Sequence, residues 1–456
     1  MTRADAVASF VGDTDCGNLP PAVVARAKTA LIDTVGCALA GGGVRASRAV
    51  LALVEAEAGA GQATVWTTGR RASISQAVLA NAVLASALDF DDGHYWSMSH
   101  PGAAVVPAAL AAAEARKRSG RDVLAGVVVG YEIAIHAGAI LNARPRERIY
   151  GSGAPDAYGA AAAVARLLGL DRRGIMDALG IARCHLPVSP VLDSIPHGAM
   201  TKESLGWGAV TGTTAALLAE AGFTGPPTRL EEPHQAGGGE ADLLAELGRR
   251  WRITETYVKR FPACLWTHAA VEAALTLRRE ERLASEQIQE LMVWTHQRAV
   301  TIDDPAPRSV EAAQYSLPYT VAAALADGEL GVEQMQERRL GEARILELAA
   351  RVRLALDPRL DAMYPARRAA RVEIRTTDGR KCEREVLTIK GSAEDPLTAP
   401  EVDDKFLRLA APVLGESGAR RALGVLREVE RHDDLAPLWA ALGRGSDPVT
   451  RQESRE

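Results

Sequence analysis

The sequence predicts a mainly α-helical protein with a smaller α+β part, and three observations support this fold class. Residues 1–265 consist largely of alanine-rich runs whose apolar residues recur at helical spacing. Residues 266–398 are richer in β-branched and aromatic residues and include segments typical of strands. Residues 399–442 return to helical spacing, and the polar residues 443–456 are expected to form a disordered tail. We therefore expect a large helical domain whose last helices follow an α+β domain.

The helical predictions rest on apolar spacing and on the residues that bound each run. The second helix follows Pro20-Pro21 and stops at a run of glycines, and Ser73 is the expected N-cap of the helix 74–88. Pro107 fits the pattern only in the first turn of its helix. The predicted helices are two runs within 5–40, then 44–58, 74–88, 103–117, 121–143, 156–168, the latter part of 194–225, 268–281, 316–326, 332–349 and 403–442.

Three segments of the α+β part are predicted as strands. Residues 288–301, 370–376 and 383–389 concentrate β-branched residues. The last two segments flank Asp378-Gly379, a dipeptide typical of tight hairpin turns. We therefore expect a small sheet between helices.

The composition narrows the classes of function. A net charge of -5 provides no basic surface for nucleic acid. The five cysteines are scattered and form no CxxC pair, which argues against a disulfide framework and a structural zinc site. The N-terminus lacks the pattern of a signal peptide, and neither apolar run, 103–113 or 124–141, forms a clean membrane span of about 20 residues. We expect a cytoplasmic protein that binds neither nucleic acid nor membranes.

Residues 88–102 (LDFDDGHYWSMSHPG) form a polar loop between two apolar helices. Its ionisable residues are Asp89, Asp91, Asp92, His94 and His100. Burying such groups without partners is costly, so their density indicates a site, although Asp91 and Asp92 could instead cap the following turn. Carboxylate and imidazole ligands suit a divalent metal ion. We find no second ligand-bearing segment and predict no metal.

Five motifs occur in an order that resembles the MmgE/PrpD family. They are LDFDD…SHPG, YGAAAAVARLLGLD, HGAMTKESLGWGAVTG, KRFPACLWTH and YSLPYTVAAALADG. The resemblance covers nearly the whole chain. It implies a helical domain built from the N-terminal part and the C-terminal helices, with the α+β part inserted as a lid and the site in the cleft between them. It also implies a homodimer that acts on a small-molecule carboxylate without a metal or another cofactor.

The activities that the resemblance implies break a bond next to a carboxylate. They include dehydration of 2-methylcitrate, decarboxylation of cis-aconitate and epimerisation of iminodisuccinate. Such chemistry needs cations that offset enolate-like charge and one or two groups whose pKa lies near the working pH. We predict a cofactor-free lyase or isomerase that abstracts a proton next to a carboxylate or carbonyl of a small di- or tricarboxylate, similar to 2-methylcitrate dehydratase.

The resemblance, together with the chemistry of the polar residues, indicates the site residues. The expected catalytic residues are Asp89, His100, Tyr150, Lys202 and Lys259. The expected substrate-binding residues are Asp92, His94, Arg260, Cys264 and Tyr319. The cations in these sets would hold carboxylates, and Asp89 would orient an imidazole or a lysine. Proton transfer would fall to His100, Tyr150 or a Lys259 amine whose pKa burial has lowered.

Three positions depart from the pattern that the resemblance implies. Gly93 replaces a common threonine, and Cys264 stands where the decarboxylase branch carries a histidine, which argues against decarboxylation. Tyr150 replaces another common histidine, but with Lys259 it is similar to the two bases of the epimerase branch. Epimerisation by these two bases is therefore one alternative. A metal-dependent hydrolase on the Asp/His loop and a non-catalytic dimeric ligand-binding protein are the others.

Overall fold

The structure, a computed structural model, describes residues 2–57, 59, 61–142, 151–189, 191–230 and 243–443. Tyr150 and the predicted tail beyond Gly443 lie outside these residues. The predicted fold class is confirmed, because the chain is mainly helical with small sheets.

The first part of the chain forms a helical domain. Its helices are α1 (Arg3–Asp13), α2 (Pro21–Gly41), α3 (Arg45–Ala56), α4 (Ile74–Ser86), α5 (Pro101–Arg116), α6 (Gly120–Asn142), α7 (Gly153–Leu168), α8 (Arg172–Cys184), α9 (Val191–Ser194), α10 (Leu205–Glu220) and α11 (Leu243–Glu246). Strands β1 (Ala63–Thr64) and β2 (Arg71–Ala72) form an antiparallel pair. Short 3₁₀ helices occur at Cys16–Asn18, Ile195–His197 and Arg252–Glu255.

Small residues allow α5, α6 and α7 to pack with their backbones close together. A Cβ atom on Gly130 of α6 would lie 2.4 Å from Val105 of α5. A Cβ atom on Gly159 of α7 would lie 2.5 Å from the Gly130 carbonyl oxygen. The alanine-rich sequence thus builds a dense core around these helices. The stretch Gly120–Leu141 of α6 is long and apolar enough to cross a membrane, but its residues 123–140 are buried inside the fold.

The C-terminal helices return to the helical domain. They are α18 (Ala399–Arg427) and α19 (Ala436–Leu442), with a 3₁₀ helix at Val429–Arg431 between them. The Lys405 ammonium of α18 lies 2.6 Å from the Asp33 carboxylate of α2 and donates to the Phe90 carbonyl at 2.9 Å. This buried pair fixes how α18 packs on α2, because either charge alone would be left without a partner.

The α+β part contains a four-stranded mixed sheet. Its strands are β3 (Ile288–Thr295), β4 (Val352–Leu356), β5 (Ala370–Thr376) and β6 (Lys381–Val386), in the order β4-β3-β5-β6. Strands β3 and β4 are parallel, and the other two pairs are antiparallel. Its helices are α12 (Leu265–Glu280), α13 (Gln297–Val300), α14 (Val310–Gln314), α15 (Leu317–Asp327), α16 (Ala343–Ala349) and α17 (Pro358–Asp361). Alternate residues of β5 are buried, which gives the sheet an apolar face for the helices.

Two elements of the α+β part are shorter than predicted. Strand β3 stops at Thr295 because the His296 side chain accepts a hydrogen bond from the Ala299 N–H and so begins α13. The predicted helix 332–349 is limited to α16. Two 3₁₀ helices and Gly341, a poor helix former, precede it.

Candidate active site

A cavity of about 210 Å³ lies where the polar loop 88–102, the segment 257–266 and the α+β part meet. The predicted residues that line it are Asp89, His94, His100, Lys259 and Cys264. Other polar residues on its wall are Ser152, Glu203, Tyr257, Arg298, Tyr315, Tyr364 and Arg368. Half of the predicted site residues are therefore brought together in one place.

Apolar residues hold the polar loop in place. Leu88 and Phe90 pack in the core of the α+β part, on either side of Asp89. Asp89 itself has a φ of 51°, a left-handed conformation that residues other than glycine seldom adopt. Such strain persists only where the surrounding contacts enforce it, and it is common at active sites.

A close contact requires glycine at position 93. Gly93 and Tyr257 exchange backbone hydrogen bonds of 2.9 and 3.2 Å. A Cβ atom on Gly93 would lie 2.2 Å from the Tyr257 hydroxyl oxygen. The threonine that the family pattern favours at position 93 would therefore collide with Tyr257. The glycine at this position makes room for the Tyr257 side chain.

We expect Gly93→Ala to displace Tyr257 and the polar loop, because the new methyl group has no space. The free energy of unfolding should fall by about 1–3 kcal/mol, and turnover should fall with it because Tyr257 lines the cavity. Thermal unfolding and initial rates measure the two effects. The control is Gly424→Ala in α18, where a Cβ atom meets nothing within 4 Å. Equal stability of the two variants would contradict the contact.

Lys259 and Asp89 form a buried ion pair on the cavity wall. The Lys259 ammonium donates to Asp89 Oδ1 at 2.8 Å and to the Asp89 carbonyl oxygen at 2.9 Å. Burial alone would lower the pKa of Lys259, but the carboxylates of Asp89 and Asp91 outweigh it and raise that pKa above its usual value. The predicted neutral amine is therefore wrong. Lys259 is an ammonium ion, suited to stabilising negative charge rather than to removing a proton.

His100 lies between two carboxylates. Its Nδ1 is 3.3 Å from Asp91 Oδ2, and its Nε2 is 3.7 Å from Glu203 Oε2. Its backbone N–H donates to Asp156 at 3.0 Å, which fixes the residue at the start of α5. Burial lowers the pKa of His100, but Glu203 and Asp91 outweigh burial and raise it from 6.5 to about 9. At neutral pH His100 is therefore an imidazolium ion that can donate a proton.

Asp92 is part of the polar loop but does not line the cavity, although it is a predicted substrate-binding residue. Its carboxylate accepts hydrogen bonds from the Tyr131 hydroxyl at 2.7 Å and from the Gly102 N–H at 3.0 Å. The Gly102 N–H belongs to the first turn of α5, which begins at Pro101. Pro107 therefore lies inside this helix, whereas the sequence pattern predicts it in the first turn. Burial raises the pKa of Asp92 to about 7.

His94 and Cys264 are uncharged parts of the wall. Burial lowers the pKa of His94, so its imidazole is neutral, and its Nδ1 lies 3.1 Å from the Ser97 hydroxyl. Burial raises the pKa of the Cys264 thiol to about 12. Because the thiolate is the reactive form of cysteine, Cys264 shapes the cavity and supplies no nucleophile at neutral pH.

Besides Asp92, three predicted residues lie outside the cavity. Lys202 donates to a carbonyl at the end of α4 at 2.9 Å and to the Gln314 side chain at 2.8 Å, so it ties its loop to two helices. Arg260 lies 3.5 Å from Glu272 of α12, in a separate cleft. Tyr319 is fully buried in α15, and its hydroxyl donates to a backbone carbonyl. Each is engaged in holding the fold together.

Several polar residues of the wall are absent from the predicted set. Glu203 directly follows the motif lysine, Lys202, and Tyr315 begins the motif that contains the predicted Tyr319. Both residues therefore belong to motifs already identified from the sequence. Arg298 and Arg368 lie in segments without a motif. Only the folding of the α+β part brings these two arginines to the cavity.

Asp89, Asp91 and His100 also form a cluster that could hold a metal ion. Their ligand atoms lie within 4.8 Å of one another, and carboxylate and imidazole donors suit a divalent cation. The Lys259 ammonium already lies 2.8 Å from Asp89 Oδ1. A metal ion would have to compete with this cation for the same carboxylate.

Cationic groups outnumber anionic groups on the cavity wall among the described residues. His100, Lys259, Arg298 and Arg368 face the cavity, together with the carboxylates of Asp89 and Glu203. A concave site with convergent cations and a proton donor is typical of an enzyme that acts on a small anionic molecule. The site thus has the features expected of an enzyme active site.

The chain belongs to the MmgE/PrpD family. Residues 5–242 match the MmgE/PrpD N-terminal domain, and residues 261–431 match the MmgE/PrpD C-terminal domain. Cis-aconitate decarboxylase of Homo sapiens is 26% identical over 99% of this chain and 96% of its own length. The enzyme of the same name from Aspergillus terreus is 27% identical over 93% of this chain and 92% of its own length. Family membership and these relatives support an enzyme of the lyase class.

Proposed function

We propose that this protein is a lyase that removes water from a small hydroxy di- or tricarboxylate without a cofactor. The proposal is carried by the position of His100, which lies between the carboxylates of Asp91 and Glu203 and faces the same cavity as the Lys259 ammonium. Loss of water next to a carboxylate needs a proton for the departing oxygen and a cation for the enolate-like charge. His100 would supply the proton, and Lys259 would supply the cation.

The hydrogen bonds of Lys259 support this role. An ammonium group has three N–H donors, and Asp89 accepts two of them. The third remains for a substrate carboxylate or for the enolate oxygen. Because Asp89 holds the ammonium in place before the substrate binds, little reorganisation is needed as charge develops.

Arg368 is suited to hold a substrate carboxylate. Its guanidinium lies over the Tyr95 ring, 4.2 Å from the ring centre, and donates to the Pro365 carbonyl at 2.7 Å. Its buried Nε has no hydrogen-bond partner among the described residues. Since a guanidinium binds a carboxylate with two parallel N–H donors, we assign this arginine to one end of the substrate.

We expect Arg368→Gln to raise KM about 10- to 100-fold, the equivalent of roughly 1.5–3 kcal/mol for a lost charged hydrogen bond. The effect on kcat should be smaller, because Arg368 holds the substrate away from the reacting atoms. The matched control is Arg367→Gln, which removes an exposed neighbour paired with Glu394 at 2.9 Å. Steady-state kinetics of both variants decide the point. Equal KM values for the two variants would refute the assignment.

Decarboxylation is the second candidate, and similarity to cis-aconitate decarboxylases along almost the whole chain favours it. After loss of carbon dioxide, His100 would protonate the carbon rather than a departing oxygen. The resemblance of the motifs argues the other way. The neutral Cys264 thiol stands where that branch carries a histidine, so one proton-transfer group is missing.

The experiment that tests the proposal is turnover in deuterated water followed by NMR. The chelator-treated protein is given citrate, malate, aspartate and cis-aconitate in turn. A new alkene signal from a hydroxy acid would support dehydration. Carbon dioxide released from cis-aconitate would favour the second candidate, and deuterium uptake without a new product would favour epimerisation.

Two further outcomes would overturn the proposal. Activity that is lost on chelation and restored by a divalent cation would favour a metal-dependent hydrolase on the Asp89, Asp91 and His100 cluster. Binding of these acids without deuterium uptake or product would favour a non-catalytic ligand-binding protein.

A further inference from the structure

We propose that Glu203 is the base that removes the proton from the substrate carbon, and that it works with His100 as a self-restoring acid–base pair. The inference rests on the proposed dehydration and deepens it. That reaction needs a proton acceptor as well as the proton donor already described. Among the described residues, the contacts of Glu203 suit that task.

The carboxylate of Glu203 is held on three sides yet keeps room for a proton. Tyr315 donates its hydroxyl to Oε1 at 3.1 Å, and Ser152 donates its hydroxyl to Oε2. His100 Nε2 lies 3.7 Å from Oε2. Each carboxylate oxygen can accept two hydrogen bonds, so Oε1, with Tyr315 as its donor among the described residues, retains an open position. Because Glu203 lines the cavity, a bound substrate can reach it.

The backbone around Glu203 is shaped to present this side chain. Lys202 and Ser204 both adopt left-handed conformations, with φ of 43° and 56°. The Gly153 N–H donates to the Glu203 carbonyl at 2.9 Å. A Cβ atom on Gly151 would lie 2.8 Å from that carbonyl oxygen, so a glycine permits the close approach. Backbone strain on both sides of one residue is typical of a functional position.

Three of the other described groups on the wall are weaker candidates for the base. Asp89 is committed to Lys259 through a 2.8 Å ion pair. Burial alone would raise the pKa of Asp89, but Lys259 and other nearby cations lower it, which makes this carboxylate a poor proton acceptor. Burial also raises the pKa of the hydroxyl of Tyr257 and of the thiol of Cys264, so both are neutral and poor proton acceptors.

The proton gained by Glu203 and the proton lost by His100 balance each other over one reaction. Glu203 takes the proton from the carbon next to the carboxylate, and the electrons of that C–H bond move onto the carboxylate as an enolate, which can also take a proton back. These electrons then form the new double bond. The bond to the hydroxyl oxygen breaks, and His100 Nε2 gives its proton to the departing oxygen, which leaves as water. Glu203 then carries one proton more and His100 one fewer. Transfer between Oε2 and Nε2, through a water or after a small rotation, restores both groups.

Because Glu203 acts as the base and His100 as the acid, we expect their variants to show different defects. In deuterated water, Glu203→Gln should lose both deuterium uptake at the carbon and dehydration, each by about 10²- to 10⁴-fold. His100→Gln should lose dehydration to a similar degree but retain deuterium uptake, because Glu203 can still exchange the carbon-bound proton. The probe is citrate or malate, whichever the parent protein dehydrates, followed by NMR.

Rescue separates a chemical role from a structural one. Glu203→Ala leaves space for a small external carboxylate, so added formate should restore part of the deuterium uptake in that variant. Formate should restore nothing in His100→Gln. Circular dichroism and thermal unfolding check that each variant is folded, and Glu203→Asp, which keeps the carboxylate, should retain more exchange than Glu203→Gln.

The outcomes distinguish this inference from the proposed function. If the parent dehydrates a hydroxy acid and a folded Glu203→Gln still takes up deuterium, the inference fails alone, and another base such as Tyr150 must act. If the parent dehydrates none of the acids, or only releases carbon dioxide from cis-aconitate, the proposed function and this inference fail together.

Discussion

Replacing Lys259 by methionine is expected to abolish measurable turnover and to destabilise the protein at the same time. The ammonium is 1% exposed, and it both neutralises Asp89 and faces the cavity. Loss of one preorganised charge at a developing oxyanion costs about 10²- to 10³-fold in kcat. The uncompensated Asp89 carboxylate should lower the free energy of unfolding by about 3–5 kcal/mol. Initial rates and denaturant unfolding measure the two losses separately.

Two further variants separate the loss of turnover from the loss of stability. One is a double variant at Lys259 and Asp89, and the other breaks a buried ion pair outside the cavity. Adding Asp89→Asn to Lys259→Met removes the unpaired charge, so most of the stability should return while turnover stays lost. Lys405→Met breaks the other buried lysine–aspartate pair, with Asp33, outside the cavity. It should lose comparable stability but far less activity per folded molecule. A Lys259→Met protein that is as stable as the double variant would contradict the account.

Replacing His100 by glutamine is the second large effect. It removes the proton donor while keeping a side chain able to form hydrogen bonds, and loss of a general acid costs about 10²- to 10⁴-fold in rate. In the parent protein kcat/KM should fall as the pH rises through about 9, because His100 then loses its proton. That alkaline limb should disappear from the residual activity of the variant. The exposed His185→Gln at the end of α8 is the control, with an unchanged pH profile.

The same pKa shift makes stability depend on pH. The pKa of His100 is raised from 6.5 to about 9 in the folded protein, because Glu203 and Asp91 outweigh the effect of burial. The charged imidazole therefore stabilises the folded state fully below about pH 6.5, and this contribution disappears as the pH rises through about 9. Its size is roughly 3 kcal/mol. Unfolding curves at pH 6 and pH 10 should show a larger difference for the parent than for His100→Gln.

Much of the fold is predictable because its signals are local. The spacing of apolar residues and the cap at Ser73 define α4. The alanine-rich runs define α5 to α7, which are buried on nearly every face, because alanine strongly favours the helix. Strand β4 is not predicted from the sequence, because buried and exposed residues do not alternate along it. Of its five residues only Val352 is buried, and Leu356 is exposed. Pairing with β3 stabilises this strand, and that pairing is not a property of its own sequence.

The sequence by itself determined the helical fold class, the family, and the polar loop that carries Asp89 and His100. These three features follow from patterns of residues that are close together in the sequence, and such patterns do not depend on which distant segments pack against them. Only the tertiary structure decided the charge states of Lys259 and His100, because a pKa depends on burial and on charges brought close from distant segments. It also decided which arginine reaches the cavity. Arg260 is adjacent to Lys259 in sequence but faces another cleft, whereas the α+β part carries Arg368 to the cavity wall.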